Sequence, residues 1–137
     1  MDGTVEYLWL PPDAIPPERT RSPYRAIVAV EIAVEAEWQA RVSDWLVRSG
    51  CRYRMAWGIE CSGWDDAVDL ASLEGEGADF VMTTWHDRDT LAEVFAFCAI
   101  AQHPALELPH TLVLHVAETA DETRVLAGVQ GPVAAGA

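Results

Sequence analysis

The chain has 137 residues, half of them hydrophobic, with 22 acidic side chains against 9 basic ones and a formal net charge of -13 at pH 7. That length suits one domain around one core, and the apolar fraction is too high for a disordered chain. With no basic patch to offset the charge, nucleic acid and anionic membranes are excluded as natural partners, whereas basic proteins, cationic ligands and metal ions remain electrostatically matched.

All nine basic residues are arginine, which rules out a Schiff-base lysine and a phosphate-binding P-loop lysine. Cys51, Cys61 and Cys98 make an odd count without framework spacing, as expected of a reduced, cytoplasmic protein. The start, Met1-Asp2-Gly3-Thr4-Val5-Glu6, has neither the basic flank nor the apolar run of a signal peptide. No apolar stretch approaches the roughly 20 residues that span a bilayer.

Residues 1–24 read as a proline-rich N-terminal arm. Pro11-Pro12 ends the apolar run Tyr7-Leu8-Trp9-Leu10, and Pro16-Pro17 and Pro23 keep the next segment extended. The expected role is a strap laying Leu8, Trp9 and Leu10 across the domain, the alternative a partner-binding peptide. Arg25–Ile32 is a first strand, continuous enough in apolar and β-branched character to lie in a sheet's interior. A helix over residues 36–49 follows, with Trp38, Val42, Trp45 and Leu46 on one face and Gly50 as its stop.

Arg52–Trp57 is the second strand. A second helix is expected from Ser62, capped by the Ser62/Asp65 pair and ending before Gly75-Glu76-Gly77. Asp79–Thr84 is the third strand. Thr90 with Glu93 forms a capping box for a third helix, whose inward stripe is Leu91, Val94, Phe95 and Cys98. The fourth strand is Thr111–Val116, and residues 119–127 suit a last short helix. Together these describe an α/β domain over residues 25–127, with a frayed tail over 128–137. Its sheet is expected to be parallel, four-stranded and covered on both faces, flavodoxin-like or Rossmann-like, in the order 2-1-3-4. An antiparallel edge strand from the arm is compatible with this.

Ligands of such sheets bind outside the carboxyl ends of the strands. There the sequence places Glu35 after the first strand, and Glu60, Cys61, Trp64 and Asp65 after the second. Trp85, His86 and Asp87 follow the third strand, and His115 and Glu118 lie at the end of the fourth. No Gly-x-Gly-x-x-Gly follows the first strand, so no dinucleotide cofactor is expected. Gly58 and Gly63 have P-loop spacing, but Trp64-Asp65 stands where Lys-Ser or Lys-Thr belongs. No zinc-ligand spacing appears, and no cofactor or metal is assigned. Cys61 near a helix start, with His86 as its base and Asp65 nearby, has the elements of a nucleophilic pair. The plainer alternative is a packed thiol, which the flanking carboxylates favour. His86 with Asp87 reads either as a base and its orienter or as a loop fastener. Trp57, Trp64 and Trp85 read as ligand wall or as core. Asp65, Asp66 and Asp69 suit an oxygen-ligand metal site or, equally well, favourable charge in a helix's first turns.

The run Met55-Ala56-Trp57-Gly58, with Cys61, Trp64-Asp65-Asp66 and Val81-Met82-Thr83-Thr84-Trp85-His86, resembles an uncharacterised family of small acidic bacterial α/β proteins. The likeness covers roughly residues 25–118. It implies only that the two loops are a paired feature of such a domain, and brings no activity, cofactor or partner.

Two functions fit. One is a protein-binding module that captures a basic protein, as an inhibitor or immunity-type partner does, with Trp64 and Trp85 as anchors and Asp65, Asp66, His86 and Asp87 around them. The other is a small hydrolase or transferase using Cys61 and His86 with acidic helpers.

Overall fold

The computed structural model describes residues 4–71 and 80–128, and among them five parallel strands form one sheet. In chain order the elements are β1 (Thr4–Leu10), β2 (Tyr24–Val30), α1 (Ala36–Ser49), β3 (Cys51–Gly58), α2 (Cys61–Ala71), β4 (Met82–His86), α3 (Leu91–Ile100), β5 (His110–Val116) and α4 (Glu122–Val125). A single 3-10 turn, Leu126–Gly128, follows α4. The turn expected at Gly75-Glu76-Gly77, Asp79 and the tail beyond residue 128 lie outside the described residues. The strand expected over Asp79–Thr84 runs instead from Met82 to His86, so Trp85 and His86 pair within the sheet and do not belong to the loop after it.

The strands alternate their side chains between two cores. On one face Ala26, Val28, Val30, Leu112 and Leu114 meet Trp38, Val42 and Leu46 of α1 and Cys61 and Trp64 of α2. On the other, Ile27, Met55 and Val113 meet Val94, Phe95 and Cys98 of α3 and Val125 of α4. β2 and β5 are buried almost throughout because helices cover both their faces, whereas edge strand β4 is only partly buried. Local chemistry sets the ends as expected at two helices. Gly50, at φ 114, closes α1 and donates its N–H to the last turn, and Thr90 and Glu93 exchange reciprocal bonds at the start of α3.

The strand order is β1-β5-β2-β3-β4, not the 2-1-3-4 expected for the four core strands. The chain winds outward from β2 through α1, β3 and α2 to β4, then returns across the opposite face through α3 to place β5 against the free side of β2. The first strand of the core is thus flanked by the second and the fourth. Apolar patterning places β2 in the interior, but the expected order puts β5 at an edge and β4 inside, the reverse of what is found, because patterning does not say which neighbour a strand takes.

The N-terminal arm corrects a second expectation. Its run Tyr7-Leu8-Trp9-Leu10 does not lie across the domain; it is part of β1, paired in parallel with β5. The strap is the proline-rich stretch after it. The indole N–H groups of Trp38 and Trp45, both on α1, donate to the carbonyls of Ala14 and Pro17 at 2.8 Å each. Arg19 pairs with both carboxylate oxygens of Glu6 and stacks over Tyr24. α2 also begins earlier than expected, at Cys61, so Ser62 lies within its first turn instead of capping it.

Candidate functional site

The loops after β3 and β4 open on a common rim. Between them, at the carboxyl ends of β2, β3 and β4, lies a cleft of about 410 Å³ walled by Glu31, Trp57, Ile59, His86, Asp87 and Asp89. Its floor depends on Gly58, which takes φ 102 and lies so close to β2 that an added Cβ would stand 2.0 Å from the Val30 carbonyl oxygen. Ile59 then donates its N–H to that same carbonyl, and Glu60 turns the chain into α2 with φ 53.

The residues expected at the site divide between the two faces of the sheet. Trp64 is fully buried and stands edge-on to Trp38, ring centroids 6.2 Å apart. It is core and offers no surface to a partner. Trp85 is half exposed. Cys61, at the start of α2, is buried in the core that α1 shares with the sheet, and burial pushes its thiol up, with Asp87 adding to the effect and a backbone hydrogen bond at His86 opposing it. The imidazole of His86 lies on the other face, because it alternates with Trp85 along β4 and pairs with Trp57, which packs on the α3 side. It packs against Phe97 of α3, centroids 5.0 Å apart. Its Nδ1 is 2.8 Å from Asp89 Oδ2 and its Nε2 is 2.9 Å from Thr84 Oγ1. The orienting carboxylate is therefore Asp89, not Asp87, since the loop folds back to bring the third residue on, and not the next, beside the ring. Cys61 and the His86 ring do not form a nucleophile–base pair. Asp66 and Asp87 are exposed, and the side chain of Asp65 lies outside the described residues.

A second polar group sits beside this cleft, where β2 and β5 send their connections to opposite faces. Asp121 N–H donates to Tyr7 Oη at 3.1 Å. The Tyr7 hydroxyl lies 2.6 Å from His115 Nδ1, and His115 Nε2 lies 2.6 Å from Glu31 Oε1. Burial raises the Tyr7 phenol above its ordinary range, so it stays protonated and donates to Nδ1. Nε2–H then donates to Glu31, a tautomer assigned from the network. Arg124 closes the chain by donating to both oxygens of Glu31, at 2.6 and 2.9 Å. Every member is satisfied, as buried polar networks must be. Sequence reading placed His115 at this rim but missed Glu31, Tyr7 and Arg124, which no local motif joins.

This network predicts a pH dependence. The Arg124 guanidinium above all, and His115 with it, hold the Glu31 carboxyl down to about 2. A depressed folded-state pKa gives stability that is present above the ordinary carboxylate range and lost as pH falls toward the folded value. Denaturant melts from pH 5 to pH 2 are expected to show a shallower loss of stability in Glu31→Gln than in the parent chain. Equal slopes would show that the pairing contributes nothing to acid resistance.

Among the described residues, no group of three or more His, Cys, Asp and Glu is arranged to hold a metal ion, and no helix is long and apolar enough to cross a membrane. A family model described as a domain of unknown function (DUF7684) matches residues 5–131, which takes in β1, the strap and α4 as well as the loops discussed above. No curated protein and no solved structure matches.

Proposed function

Because the chain belongs to the DUF7684 family, whose description carries no activity, we propose from the site alone that it is a protein-binding module for a basic partner, of the inhibitor or immunity type. The observation that carries this reading is the composition of the rim. Ile59 and Trp85, two of the large hydrophobic side chains left exposed, stand at the carboxyl end of the sheet with the exposed carboxylates Glu60, Asp66, Asp87 and Asp89. An exposed aromatic side chain at a rim where carboxylates outnumber the one basic residue of its loop, Arg88, suits a surface that steers in and then seats an oppositely charged protein. The net charge of -13 extends the same field over the molecule. The hydrolase or transferase reading loses its central pair, since Cys61 and the His86 ring lie on opposite faces and both ring nitrogens are engaged.

The test is capture from the native host at low salt, with Trp85→Ala/Asp87→Arg and Cys61→Ala as comparison baits. Loss of a basic protein from the first bait, and its retention on the second, is expected. Failure of the parent chain to retain any basic protein would overturn the proposal, as would equal capture by Trp85→Ala/Asp87→Arg.

A further inference from the structure

At the amino end of the sheet, away from the rim, a cavity of about 600 Å³ opens beneath the C-terminus of α3. Its walls include Ala99, Ala101, Leu106 and Leu108, with Arg25 and His103 among the polar residues. His103 is fully engaged, bonded through Nε2 to the Phe80 carbonyl and accepting the Ala105 N–H at Nδ1. Arg25 is not. Its Nε donates to Thr111 Oγ1 at 3.0 Å, and its Nη1 donates to the Cys98 and Ala101 carbonyls at the end of α3. Among the described residues its Nη2 has no acceptor and the guanidinium has no carboxylate partner. Glu107 lines the same cavity without pairing to it.

A guanidinium is always charged and carries five N–H donors in a planar fork. The end of α3 offers about half an elementary charge of compensation, which leaves positive potential directed at a space lined by Leu106 and Leu108 on one part of its wall and by Gln102, His103 and Glu107 on the rest. Arg25 is also half buried in a chain where carboxylates outnumber basic groups by more than two to one. With no carboxylate partner among the described residues, its free N–H donors are open to an anion entering the cavity.

We propose that this cavity is a binding site for a monocarboxylate bearing an apolar chain. The carboxylate accepts from Arg25 Nη2, and the chain lies against Leu106 and Leu108. The site is separate from the rim, so its outcome is independent of the proposed protein-binding function. Calorimetric titration with hexanoate is expected to show saturable binding, with acetate weaker for want of the chain and hexylamine giving none. Arg25→Gln is expected to weaken hexanoate binding by roughly tenfold or more, the usual scale for a charge-assisted hydrogen bond. Leu106→Trp fills the cavity while keeping the guanidinium, and is expected to abolish binding with little change in melting temperature. Trp85→Ala/Asp87→Arg is expected to bind hexanoate as the parent does. No saturable hexanoate binding by the parent chain, equal binding of hexylamine, or undiminished binding by a folded Leu106→Trp would each overturn the assignment.

Discussion

Gly58→Ala is expected to destabilise the protein by about 3 kcal/mol, combining the strain of a side chain at positive φ with overpacking against backbone. At φ 102 the residue lies where L side chains are rarely found, and the new methyl carbon would meet the Val30 carbonyl oxygen at 2.0 Å. A carbonyl locked into a parallel ladder cannot swing aside as a flexible side chain does. The ends of β2 and β3 must therefore part, which also breaks the Ile59 N–H bond to Val30 and widens the cleft. A fall in melting temperature of about 10 °C is the corresponding signal for a domain of this size. Gly63→Ala is the control, because its methyl would meet only the end of the Gln39 side chain, at 3.4 Å, and the position is helical. If the two variants melt together, the close approach of β3 to β2 is not what makes glycine necessary at position 58.

Trp64→Ala is expected to cost about 3–5 kcal/mol, the range for removing a large aromatic from a packed core. The ring is wholly buried, and its loss leaves Trp38 without its edge-on neighbour and opens a void between α1 and α2. Trp85→Ala should fall within about 1 kcal/mol of the parent, as substitutions of exposed residues usually do. Chemical denaturation of the two variants separates the roles cleanly. A mild effect at Trp64 would return that residue to the list of surface anchors, and a severe one at Trp85 would remove it.

The contrast between these tryptophans shows how far one-dimensional reading reaches. Both sit beside a carboxyl-end loop next to acidic residues, and in composition they are alike. Trp64 lies on the face of α2 that α1 covers, and Trp85 on an edge strand where cover is incomplete. Cys61 and His86 differ in the same way. The strand's alternation was legible, but which helix lay on which face was not, and that alone sends the thiol and the imidazole to opposite sides of the sheet.

By itself the sequence determined the class of fold, the interior place of β2, both ends of α1 and the start of α3, because periodicity, capping and glycine chemistry act over a few residues. It also determined the acidity of the rim and the absence of the common nucleotide and zinc motifs. Strand order was decided only by the tertiary structure, since neighbouring strands are chosen by the packing of helices far apart in the chain. That order brings Tyr7, Glu31, His115 and Arg124 together across as many as 117 positions, joins two loops at one cleft and leaves the Arg25 guanidinium facing a cavity lined in part by leucines. Each of these is a contact between residues that share no local pattern, so only the folded chain reveals it.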